Sequence, residues 1–318
     1  MPTLLKWLAI VLVVLVVGGV AAWFGARAYV REPVELAAAG PASVERGEYV
    51  FHAAGCYTCH SQEGQPPLSG GPPLETPFGT FHAPNITPHP EAGIGDWTEV
   101  EFARALRQGV APGGVELYPV FPYTSYTHMT DQDVRDLWAY LQTVEPADNE
   151  SPANDVPFPL SVRPLVTFWK VLFLPASELE DAPQQAEAWR RGRYLVLALT
   201  HCTQCHTPRN FLGARRVSMR LAGTESGPEG NAIPNITPEN ETGIGRWSES
   251  DLVFFLQTGM TPGGDFVGGR MADVIERSTS RMTAEDRQAI AAYVMALPPI
   301  EHAIEQDGQE QAGGGPGQ

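Results

Sequence analysis

Apolar residues follow three patterns along this chain. From Trp7 to Phe24 they run for 18 residues without a charge, near the lower limit for a helix that crosses a bilayer. From residue 43 onward they recur at spacings of three and four, the rhythm of amphipathic helices. Residues 43–54 and 184–200 show it. So do two later segments, one lined by Val134, Leu137, Trp138 and Leu141, the other by Ile290, Tyr293, Val294 and Leu297. The third pattern is a short apolar run over residues 165–174, interrupted by Lys170. It is too short to span a bilayer, which leaves three readings: packing between domains, rest on a membrane surface, or docking of a partner. Helix starts are written as Thr98-x-x-Glu101 and Ser248-x-x-Asp251, with stops at Gly109 and Gly259, and as Thr130-x-x-Asp133 and Thr283-x-x-Asp286. No segment alternates as a strand does, so the expected fold class is all-α.

The same signals occur twice because the chain repeats itself. Residues 85–114 align without a gap to residues 235–264, at an offset of 150, and 15 of the 30 positions are identical. Arg46-Gly47-Glu48-Tyr49 matches Arg191-Gly192-Arg193-Tyr194 further upstream. A period this long exceeds that of solenoid units and indicates a duplicated domain. The expected organisation is an N-terminal membrane anchor over 1–31, a first domain over 42–147, a linker over 148–183, a second domain over 184–300, and a disordered tail over 301–318. That tail is built of glycine, glutamine and acid. Lys6 and the terminal amine precede the apolar run, which places the N-terminus in the cytoplasm and the remainder outside. A cleaved signal peptide is the rival reading, because Ala26-Arg27-Ala28 fits a small-residue cleavage site. The length of the run and the flanking Trp7 and Trp23 favour an anchor.

Charge narrows the partners. Lys and Arg total 21 against 37 Asp and Glu, a formal charge of −16. Phosphate backbones call for the opposite balance, so nucleic acid is excluded as a partner. The chain has four cysteines, all within Cys56-Tyr57-Thr58-Cys59-His60 and Cys202-Thr203-Gln204-Cys205-His206. A Cys-x-x-Cys-His run can form two thioethers to one porphyrin and offer the adjacent histidine to its iron. A dithiol redox site needs no repeated histidine, and a four-cysteine zinc site would have to close from Cys59 to Cys202 across a whole domain. The expected cofactors are two covalently bound haem c groups, on Cys56 and Cys59 and on Cys202 and Cys205, with His60 and His206 as axial ligands. Trp97 and Trp247 occupy matching repeat positions. A buried indole N–H needs an acceptor, which a haem propionate would supply; the alternative is that both are core residues.

With these motifs, two Asn-Ile-Thr-Pro loops followed by Gly-Ile-Gly-x-Trp, the run 118–123 and Gly269-Arg270-Met271-Ala272, the chain resembles the membrane-anchored cytochrome c subunits of bacterial dehydrogenases. The alcohol dehydrogenase cytochrome c subunit is one of these. The likeness covers about residues 42–300. That group carries three haems where this chain has two motifs. The resemblance implies two tandem all-α cytochrome c domains behind a transmembrane helix, held at the bacterial inner membrane with the haem domains in the periplasm. It also implies electron relay from a dehydrogenase subunit to a quinone or oxidase acceptor of the respiratory chain. Met271, seven residues after Gly264, stands in the context of the family's ligand loop and is the expected sixth ligand of the second haem, in preference to Met282. The matching residue of the first copy is Phe121, which cannot bind iron. There Met129 is the expected ligand, with His128 or a five-coordinate iron as alternatives. An open first haem would suit a second function, that of a dihaem peroxidase.

Overall fold

The computed structural model describes residues 2–31, 33–37, 40–176, 179–227 and 230–304. Most of the expected tail therefore lies outside the described residues, as do Ser177 and Glu178 of the expected linker. The chain divides into two compact units. The first holds residues up to Pro73 and Pro77–Asp181; the second holds Leu74–Thr76 and the chain from Ala182 onward.

The first unit begins with α1, Pro2–Val30. Its stretch Thr3–Val30 contains 18 consecutive residues with a mean hydropathy of 2.6 and is long and apolar enough to cross a membrane. Next come α2, Val44–Ala53, and α3, Cys56–His60, then α4, Glu99–Gln108, the one-turn α5, Tyr123–Tyr126, α6, Asp131–Leu141, and α7, Pro164–Phe173. The second unit contains α8, Glu187–Tyr194, α9, Glu249–Thr258, α10, Gly269–Arg277, and α11, Ala284–Met295. The all-α expectation needs one correction: the chain is 46% helix, but 6% is strand. Val110–Ala111 pairs with Val115–Glu116 across a Gly113-Gly114 turn, and Thr80 exchanges two 2.9 Å backbone bonds with Asp155. Runs of two to four residues are too short for period-two alternation to show in a sequence.

The four expected helix starts follow their local chemistry. Thr98 accepts the Glu101 N–H while the Glu101 carboxylate accepts the Thr98 N–H, and Ser248 and Asp251 do the same. Gly109 (φ 63°) and Gly259 (φ 76°) end these helices in the left-handed conformation that glycine adopts without strain. Thr130 and Thr283 cap α6 and α11.

The core of each unit is a helix crossing. In the first, α2 packs on α6, and in the second α8 packs on α11. Both crossings turn on the glycine of the Arg-Gly-x-Tyr repeat. A Cβ on Gly47 would lie 1.9 Å from the Asp136 carbonyl oxygen, and one on Gly192 would lie 1.8 Å from that of Ala289. The preceding arginine locks the crossing. Arg46 makes two bonds to the fully buried Asp136 carboxylate, at 2.7 and 3.1 Å, which also accepts from Ser43 N and Gln132 Nε2. Burial works to raise the Asp136 pKa, but these donors outweigh it and hold the carboxyl below its ordinary value. In the second unit Arg191 grips Asp286, at the start of α11, through 2.8 and 2.7 Å bonds.

Candidate functional site

The Cys-x-x-Cys-His runs lie where the first helix of each repeat ends. Gly55 (φ 65°) turns the chain out of α2 into α3, which carries Cys56, Cys59 and His60. In the second unit α8 widens through residues 195–199, all buried, with the Thr200 N–H bonded to the Leu195 carbonyl at 2.8 Å. His201 (φ 39°) then takes the place of Gly55, and Cys202 opens a short turn. No disulfide joins these cysteines. Burial first, then the neighbouring Cys59, pushes the Cys56 thiol up to about 12.

The two histidines are held alike. His60 Nδ1 stands 2.7 Å from the Pro84 carbonyl oxygen, and His206 Nδ1 stands 2.9 Å from that of Pro234. A carbonyl only accepts, so Nδ1 carries the proton in each ring and Nε2 is left with its lone pair. Burial lowers both imidazole pKa values, which keeps the rings neutral. A neutral imidazole with its far nitrogen anchored is the form that ligates a metal. The donor set of two thiols and one neutral imidazole per unit therefore fits a c-type haem.

The accepting carbonyls are positioned by the Asn-Ile-Thr-Pro loops. Asn85 Oδ1 accepts from Thr87 N and Oγ1, while Nδ2 donates to the carbonyls of Ala147 and Asn149, all between 2.7 and 3.0 Å. Asn235 repeats this with Thr237 and the Ile300 carbonyl. The loop is thus tied to the chain that follows α6 in the first unit and α11 in the second. Sequence reasoning singled out these loops as a family mark but not their task. The signal was their immediate succession to Pro84 and Pro234.

The sulfur candidates sit differently. Met129 and Met282 are both buried, each directly before the threonine that caps α6 or α11. Arg107 donates to the Met129 carbonyl at 2.7 Å, and Arg287 donates to that of Met282. Met271 is the third residue of α10 and is half-buried. In the first unit Phe121 packs on Tyr126, with ring centroids 5.7 Å apart. Tyr126 donates to the Ala54 carbonyl at 2.8 Å, and its phenol is pushed well up by burial and then by Cys56 and Cys59. The Met129 N–H bonds to the Tyr126 carbonyl at 3.0 Å. One short segment thus joins Phe121 and Met129 to the neighbourhood of the first cysteine pair. Trp97 and Trp247 are half-buried, each with its backbone N–H on the isoleucine three residues before it.

The second motif is bracketed by two arginines. Its middle residues, Thr203 and Gln204, are buried. Arg215 donates to the Thr203 hydroxyl, and Arg209 donates to the Gln204 carbonyl and side chain, at 3.0 Å each. Burial, then the like charges of Arg209 and Arg220, lowers the Arg215 pKa to about 10.

Comparison with known proteins agrees with this geometry. The Cytochrome c family model matches residues 44–145. A "Diheme cytochrome c-type" protein of Cereibacter sphaeroides is 45% identical over 294 residues, which cover 91% of this chain and 96% of that one. The chain belongs to the cytochrome c family. The fructose dehydrogenase cytochrome subunit of Gluconobacter japonicus is 41% identical over 86% of this cytochrome. The gluconate 2-dehydrogenase cytochrome c subunit of Pantoea cypripedii is 39% identical over 81% of it. The cytochrome spans 56% and 60% of the length of these two subunits. As a cytochrome c it binds haem c and transfers electrons. Relatives named as cytochrome subunits of dehydrogenases favour that role over the peroxidase alternative.

Proposed function

We propose that this cytochrome carries two covalent haems in two tandem domains and relays electrons from a dehydrogenase to the respiratory chain. The observation that carries the reading is the repeated histidine clamp: two Cys-x-x-Cys-His runs, each with its imidazole Nδ1 on a proline carbonyl. Cys56 and Cys59 hold the first porphyrin and Cys202 and Cys205 the second. His60 and His206 bind the irons through Nε2. Met129 and Met271 are the sixth ligands, and Trp97 and Trp247 serve the propionates. The haems supply the reversible one-electron chemistry. The protein fixes the imidazole tautomer and orients each ring through the Asn85 and Asn235 loops. The length and hydropathy of α1 support an uncleaved anchor in the bacterial inner membrane with both haem domains in the periplasm. Relatives that are cytochrome subunits of fructose, gluconate and alcohol dehydrogenases support a dehydrogenase as electron donor, and a quinone or an oxidase is the acceptor.

Haem content by pyridine haemochrome and a redox titration test this together. Two haems per chain with two potentials are expected, and substrate of the co-purified dehydrogenase should reduce both. One haem per chain, or two irons that bind carbon monoxide freely and turn over peroxide, would overturn the reading.

A further inference from the structure

The helix α7 lies in the expected linker, outside both repeats, and electron transfer gives it no task. Its inward face is fully accounted for. Val166 packs with Phe81 and Tyr118, Trp169 meets the Tyr123 ring edge-on at 6.3 Å, and Thr167 and Lys170 are buried. Glu116 binds this face. Its Oε2 takes the Lys170 ammonium at 2.6 Å, and its Oε1 takes the Thr167 hydroxyl at 3.0 Å and the Arg31 guanidinium at 2.5 Å. Arg31 directly follows α1, and α7 packs against α1. One carboxylate therefore ties α7 to the end of the membrane-crossing helix.

The outward face of α7 is apolar throughout. Leu165, Phe168, Val171 and Leu172 are exposed, Leu172 by 68%, and the preceding Phe158 is exposed by 84%. The polar side chains of α7, Thr167 and Lys170, both point inward, so this face has neither a charge nor a hydrogen-bonding side chain. A docking site for a soluble partner carries polar residues around its apolar centre, and among the described residues α7 places none beside Leu165, Phe168, Val171 and Leu172. It matches instead the exposed apolar surface of α1 beside it. Arg27 stacks on Trp23 at 4.9 Å, the kind of pairing that marks the headgroup level of a membrane-crossing helix. Lys170 shares a carboxylate with Arg31, so α7 stands near that level.

We infer that the outward face of α7 inserts into the outer leaflet of the bilayer and fixes how the first haem unit stands over the membrane. The inference rests on the reading of α1 as an anchor. It gives the chain a second, interfacial contact, whose strength scales with the apolar area buried, and a fixed orientation in place of a tether that swivels.

The thioethers consume all four native cysteines, so one added cysteine can be spin-labelled alone. The full-length haem protein is reconstituted into phosphatidylcholine and phosphatidylglycerol vesicles, carrying Leu172→Cys or, separately, Leu12→Cys in α1. Relaxation by oxygen, which concentrates among acyl chains, is compared with relaxation by a water-soluble nickel complex. Both labels should be oxygen-accessible and nickel-shielded. If Leu12→Cys lies in lipid while Leu172→Cys meets nickel, the inference falls and the anchor stands. A Leu172→Cys label shielded from both agents would mean that protein covers the face, which also overturns it. If Leu12→Cys meets nickel, the anchor reading itself fails.

Discussion

At the scale of single residues, Phe121 sets the two sites apart. It stands where the second copy has Met271, and a benzyl group offers iron no lone pair. Met129→Ala should therefore abolish the sulfur-to-iron charge-transfer band of one haem and lower its potential, while Met271→Ala does the same to the other. A thioether favours ferrous iron, so its loss moves the potential down. Separate redox titrations of the two variants check this, and an unchanged Met129→Ala spectrum would make that residue core. Replacing Cys56 and Cys59 together should leave one haem per chain by pyridine haemochrome, because each unit carries its own motif. The cysteines, histidines and methionines were legible as candidates because the chemistry proposed for them resides in their own side chains. Pro84 and Pro234 were not, since they act through the backbone, and the backbone is the same at every position. Arg209 and Arg215 were hidden too. Nothing in their sequence spacing shows that they fold back on Gln204 and Thr203.

At the scale of elements, the helix crossings depend on the absence of a side chain. A methyl at position 47 would meet the Asp136 carbonyl at 1.9 Å, with Tyr140 Cβ at 2.7 Å, and main-chain atoms inside a helix cannot step aside. Gly47→Ala should force α2 and α6 apart and cost about 2–4 kcal/mol, seen as a fall in the urea midpoint. Gly192→Ala should do the same in the second unit. Caps and stops were readable in advance because they are local, set by residues three apart in sequence. The crossings were readable only as a repeated Arg-Gly-x-Tyr of unstated purpose. Whether glycine permits close approach depends on what lies opposite, and α6 is some ninety residues away. The short strands and the widened turn over residues 195–199 have no local signature that would separate them from loop or helix.

At the scale of the whole molecule, buried carboxylates set the response to acid. Burial opposes ionisation of Asp136 and Glu116, yet Arg46 with its companion donors, and Lys170 with Arg31, hold both pKa values below the ordinary ones. A depressed folded pKa means that the unfolded chain takes up the proton first. The stability these groups contribute is then complete above the usual carboxylate range and lost as pH falls through their folded values. Denaturation should be nearly level from pH 7 to 5 on this account and steepen below about 4. Asp136→Asn should flatten that acid limb while lowering stability at pH 7. An Asp136→Asn variant with the wild-type acid slope would remove Asp136 from the account. The proposed membrane attachment is tested at the same scale: haem protein should stay with washed membranes, and a mature N-terminus found at Tyr29 would show α1 to be a signal peptide. The duplication was plain in the sequence, since 15 identities in 30 positions need no structure to be seen. The place of residues 148–176 was not, because their attachment to the first unit runs through Glu116, a lone acid with no motif around it.

The proline carbonyls behind the two histidines have a consequence for how such a protein can vary. In many metal sites the partner of the ligating imidazole is a carboxylate, which one substitution can delete and which itself takes up protons in acid. An amide oxygen does neither at any pH where the chain is folded. Whatever side chain replaced Pro84 or Pro234, the oxygen would remain. Only loss of the Asn85 or Asn235 bracket could move it. An iron held by His60 or His206 would thus be shielded from drift at the residue its ligand leans on, because the oxygen behind the imidazole has no proton of its own to gain or lose.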